Sequence, residues 1–129
     1  MTEFHSQSLL TVRLATPADV PAVHALILEL AEFERLAHEV VATEASTREA
    51  LFGGGPSAEA LVAEVGGEVV GFALYYAVYS TFAGRSGLYL EDLFVREGHR
   101  RGGVGRALMD GFVARAHLER CCHPFLRIP

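Results

Sequence analysis

The chain has 129 residues, half of them hydrophobic and 21% charged, which fits one globular domain and not a disordered segment. A net charge of −5 disfavours nucleic acid as a partner, and no apolar run is long enough to span a bilayer, so no membrane association is expected. Two adjacent cysteines, Cys121 and Cys122, cannot staple a loop, and the six histidines stand without ligand spacing, so neither a disulfide framework nor a metal site is expected.

Leu9–Leu14 reads as a first strand. Thr16-Pro-Ala-Asp19 is a helix start, with Thr16 as N-cap and Pro17 at the first helical position. Val20, Val23, Ile27, Leu30 and Phe33 recur at helical spacing and are expected to face the core, with Glu29, Glu32 and Arg35 on the other side. A second helix is expected to start with the capping box Ser46-Thr-Arg-Glu49 and to end at Gly53-Gly-Gly55 with Pro56. Ala60–Val65 and Glu68–Tyr79 flank Gly66-Gly67, which supplies the positive φ of a two-residue hairpin turn. Ser80–Ser86 reads as a loop and Gly87–Val95 as the next strand. A helical stripe of Val104, Leu108, Phe112 and Arg115 follows, weakened by Gly111. This order implies an α+β domain in which helices cover a mostly antiparallel sheet. His117–Pro129 shows no strand alternation and reads as an atypical tail.

Charge is divided unevenly: residues 1–64 hold three arginines against ten acids, and residues 65–129 hold eight against six. The basic excess surrounds Arg100-Arg101-Gly102-Gly103-Val104-Gly105, set between an apolar strand and the helix beginning near Arg106. A glycine-rich turn at a helix N-terminus gathers unpaired N–H groups and the positive end of the helix dipole, which suits a pyrophosphate. Arg100 and Arg101 are expected to add charge-assisted bonds to it. Glu91 and Asp92 interrupt the preceding strand and, as neighbours, are expected to point to opposite faces.

Arg-x-x-Gly-x-Gly, from Arg100 to Gly105, resembles the pyrophosphate turn of the GNAT superfamily of N-acetyltransferases. Tyr89-Leu-Glu-Asp-Leu-Phe-Val95, Val62–Val65 with Val70–Tyr76, and Glu29–Glu34 resemble segments of its diamine branch, the spermidine/spermine and thialysine acetyltransferases. The resemblance runs from about residue 12 to 109 of a single domain, 1–129. It implies a GNAT-like sheet and transfer of acetyl from acetyl-CoA to a primary amine of a small polyamine or amino acid. A cytoplasmic protein is expected because Met1–Ser8 lacks the basic start of a signal peptide, and a homodimer because the strand Gly87–Val95 would expose an edge that recruits another chain. Leu93, Phe94 and Val95 would meet the pantetheine arm; Arg100, Arg101, Gly102, Gly103, Val104, Gly105 and Arg106 would hold the pyrophosphate. Glu91 would draw the proton from the amine, with Asp92, Phe33 and Glu34 contacting the substrate. The family continues with a fifth strand, a helix bearing an acid tyrosine and a final strand pair, and these are expected to be missing through truncation or frameshift. The alternative is therefore an inactive remnant that binds acyl-CoA without turning it over.

Overall fold

The structure is a computed structural model that describes residues 9–118 and, by backbone alone, the short strand 124–126. Cys121 and Cys122 lie outside the described residues. One sheet holds five strands in chain order: β1 (Leu10–Leu14), β2 (Glu59–Val65), β3 (Glu68–Ser80), β4 (Arg85–Val95) and β5 (Pro124–Leu126). The first four pair antiparallel and β5 pairs parallel to β4. Helices α1 (Val20–Phe33) and α2 (Glu44–Phe52) cover one face, and α3 (Val104–Leu118) covers the other.

Two apolar clusters glue these layers. Ala60, Val62, Phe72 and Phe94 meet Val23 and Leu26 of α1 and Leu51 of α2. Leu61, Ala63, Ala73, Tyr75, Leu88 and Leu90 meet Val104, Leu108, Phe112 and Ala116 of α3. Strand side chains alternate between faces, so a strand covered on both sides must be apolar at every step, as Ala60–Ala63 is.

The entry to α1 is set by polar contacts. Arg13 of β1 donates both Nη groups to Asp19, at 2.7 and 3.0 Å, and its Nε to Glu64 at 2.9 Å. Asp19 also accepts the Thr16 N–H at 2.7 Å, and a single 3-10 turn over Pro17–Asp19 leads into the helix. The bidentate Arg13 pair outweighs burial and pulls Asp19 down to about 2. At the other end of the sheet Arg96 spans Glu29 of α1 (2.8 and 3.1 Å) and Glu68 of the β2–β3 hairpin (3.2 Å).

Several expectations change. Helix α2 starts three residues early, because Thr43 and Ser46, not Ser46 and Glu49, exchange the capping bonds, at 2.9 and 3.0 Å. In α1 Leu26 and Ala31 are buried alongside Val20 and Val23, whereas Phe33 is 65% exposed. The α3 stripe ends on Ala116, leaving Arg115 to pair with Glu59 at 3.1 Å. Gly111 does not mark a weak helix: a Cβ there would lie 3.0 Å from Leu61 and 3.2 Å from Val12, so its absence lets α3 sit close on the sheet. The tail expected to lack strand structure supplies β5, paired to Leu88, Tyr89 and Leu90. Parallel pairing needs no local turn and no alternation, so three residues show no signature in sequence.

Candidate functional site

Leu74 of β3 pairs with Asp92, yet Tyr75 pairs with Leu90, so Glu91 is an extra residue in β4. Such a bulge breaks the alternation and sends two successive side chains toward one face. Asp92 sits opposite Leu74, which packs with the α1–α2 cluster. Glu91 accepts a long hydrogen bond, 3.4 Å, from Tyr76, two residues along β3 from Leu74. The two acids therefore share the α1 face, not opposite faces as strand alternation predicts. Burial, then the neighbouring charges of Glu91 and Glu34, push Asp92 up to about 6. Glu34 caps the C-terminus of α1, directly after Phe33. In sequence Tyr76, whose ring lies 5.2 Å from that of Tyr89, reads as an ordinary strand tyrosine with no catalytic purpose, because only the register of the hairpin brings it to Glu91.

Strand β5 covers β4 only from Leu88 to Leu90. From Glu91 to Val95 the outer edge of β4 has no strand neighbour among the described residues. The chain then makes a 3-10 turn, Glu97–His99, and passes through Arg101 (φ 75°) and Gly103 (φ 81°) into α3. Ala107 donates to Gly103 O at 3.0 Å, so the N–H groups of Val104, Gly105 and Arg106 lie ahead of the first full helical turn. A Cβ at Gly103 would meet nothing within 4 Å, and one at Gly105 would approach Val95 Cγ2 at 3.8 Å. The turn therefore presents bare backbone beside the open end of β4.

The two arginines differ. Arg101 is exposed. Arg100 is half-buried and folds back, with its Nε donating to Val95 O at 2.8 Å and its Cζ 4.8 Å from the Phe33 ring and 5.3 Å from the Phe94 ring. Phe94 is buried in the α1–α2 cluster, while Leu93 is 36% exposed and Val95 half-buried. Val104 is buried under the sheet, so only its backbone faces the turn; Gly102 and Arg106 are exposed. The structure thus brings the acids, Phe33, Arg100 and the turn to one end of β4. Among the described residues no group of three or more His, Cys, Asp or Glu could hold a metal, and no helix is long and apolar enough to cross a membrane.

Residues 24–128 match the acetyltransferase (GNAT) family. The chain belongs to the GNAT acetyltransferases. Thialysine N-epsilon-acetyltransferase of Mus musculus is 38% identical over 122 residues, covering 88% of this chain and 71% of the relative. L-ornithine N5-acetyltransferase NATA1 of Arabidopsis thaliana is 30% identical, covering 81% of this chain and 66% of the relative. Among solved structures, an aminoglycoside N-acetyltransferase in complex with CoA superposes with a TM-score of 0.75 at 16% identity, over 95% of this chain and 78% of that one. That likeness concerns the fold alone. This GNAT domain is accordingly an N-acetyltransferase by family, with the mixed sheet and covering helices of its relatives.

Proposed function

We propose that this GNAT domain transfers an acetyl group from acetyl-CoA to a primary amine of a small polyamine or amino acid. The observation that carries the reading is the bulge at Glu91, which puts two carboxylates on one face beside the unpaired end of β4 and the α3 turn. An alkylammonium has a pKa of about 10 and must lose a proton before its nitrogen attacks. Glu91 takes that proton, while Asp92, Glu34 and the exposed ring of Phe33 hold the cationic substrate. The amines named in the mouse and Arabidopsis relatives, thialysine Nε and ornithine N5, support an amine of this type.

The fit to acetyl-CoA rests on bare backbone. Along the open edge over Leu93, Phe94 and Val95, where Val95 O already accepts from Arg100, backbone groups remain for a pantetheine arm, and the first N–H groups of α3 suit a diphosphate. Acetyl-CoA would supply the acetyl group as a reactive thioester. The proposal includes a cytoplasmic homodimer: the sheet edge at β1 bears the exposed apolar side chains of Leu9, Leu10 and Leu14, and such edges recruit another chain. Light scattering after size exclusion tests the dimer.

Cofactor binding is tested by calorimetry with CoA on two substitutions at one position. Gly103 has a positive φ that asparagine and aspartate tolerate similarly, so Gly103→Asn controls for backbone strain. Gly103→Asp, which adds a like charge where the diphosphate sits, is expected to bind at least about tenfold more weakly than Gly103→Asn. Equal affinities would refute the site. CoA binding without thiol release in the presence of spermidine and small diamines would identify the inactive remnant instead.

A further inference from the structure

Arg100 belongs to both halves of the site. In sequence it opens the turn into α3, but its guanidinium lies over Phe33 and Phe94, and its Nε is fixed on Val95 O. The two rings stand 6.4 Å apart and tilted by 59°, so a continuous set of contacts runs from the last residue of α1 to the end of β4. Phe33 is not needed for the burial of α1, which Val20, Val23, Leu26 and Ala31 provide. A guanidinium is planar, weakly hydrated and able to stack on a ring while its remaining N–H groups bind elsewhere; an ammonium offers no such plane.

We propose that Arg100 is a positioning residue that couples the two half-sites: its stack on Phe33 preorders the turn for the diphosphate, and a bound diphosphate in return fixes Phe33 for the amine. The proposal rests on the function argued above. Such coupling is reciprocal, so it can be read from the cofactor side alone, without turnover. Phe33 stands outside the turn, and in a purely structural role its exposed ring would not affect CoA affinity.

Calorimetry with CoA on the parent chain, Phe33→Leu, Phe33→Tyr, Arg100→Lys and the Phe33→Leu/Arg100→Lys double variant decides the matter. Phe33→Leu is expected to weaken CoA binding about two- to fivefold, the range of one exposed cation–π contact, and Phe33→Tyr to keep the parent affinity. In the Arg100→Lys background Phe33→Leu should change nothing further. Parent-like affinity for Phe33→Leu, or the same loss in both backgrounds, would overturn the coupling. A parent chain that fails to bind CoA would overturn the functional reading itself, so the two failures are distinct.

Discussion

Asp92→Asn is expected to make the domain more stable at neutral pH while removing one carboxyl of the proposed substrate site. The carboxyl is raised from 3.8 to about 6, first by burial and then by Glu91 and Glu34. A raised acid favours the folded state only while it holds its proton. That benefit is fully present below 3.8, the unfolded value, and is lost as pH climbs through about 6. Above that, the folded chain carries an ionised carboxylate in a poor environment, and 1.36 kcal/mol per pH unit makes the penalty ~3 kcal/mol. Asp92 retains some contact with water, which screens the charge and lowers the figure to ~1–2 kcal/mol. Asparagine has the same shape and no charge. Urea unfolding followed by circular dichroism should therefore show Asp92→Asn more stable by ~1–2 kcal/mol at pH 8, with the two proteins converging near pH 4. A difference that does not vary with pH, or a variant less stable at pH 8, would refute the electrostatic account.

Three other outcomes are expected. Arg13→Met removes the partner that holds Asp19 at about 2, so it should cost ~2 kcal/mol at pH 7. A lowered acid stabilises above its unfolded value of 3.8 and loses that contribution as pH falls through about 2, so unfolding curves of the two proteins should draw together across that window. Glu91→Gln should lower kcat/KM most at pH 6 and least at pH 10, where more of the amine is already neutral; a parallel loss at every pH would leave Glu91 a binding role only. Gly111→Ala, which helix propensity alone would favour by ~1 kcal/mol, should instead lower Tm, because the added methyl meets Leu61 at 3.0 Å and Val12 at 3.2 Å in the packed interface.

Features written in a few adjacent residues were legible in the sequence. Gly66 and Gly67 take φ of 61° and 85° in the hairpin turn, and Thr16 and Asp19 close the entry to α1. The glycine turn before α3 likewise needs only its own residues. Where two local patterns compete, the sequence does not rank them: Thr43–Ser46 and Ser46–Glu49 both have the spacing of a capping box, and the first makes the bonds. Features that depend on distant partners were hidden. The shared face of Glu91 and Asp92 follows from the register of a hairpin that pairs Gly71 with Val95 and Ser80 with Arg85. The stack of Arg100 on Phe33 joins residues far apart in the chain, and spacing along α1 could not tell that its stripe ends before Phe33. Glu29, read as solvent-facing, is turned to use by Arg96 from the far end of β4.

The bulge also separates what the sheet requires from what the proposed chemistry requires. Leu90 already stands opposite Tyr75, and Asp92 opposite Leu74. Glu91 is thus a surplus residue that the ladder accommodates without using. A chain shortened by that one residue could close into a regular hairpin with every other side chain of β4 still on its own face, whereas most deletions within a strand turn core residues outward. Removing Glu91 outright is consequently the gentler structural edit than its position in a central strand would imply, and it offers a folded domain from which one acid of the pair has been subtracted, backbone and all.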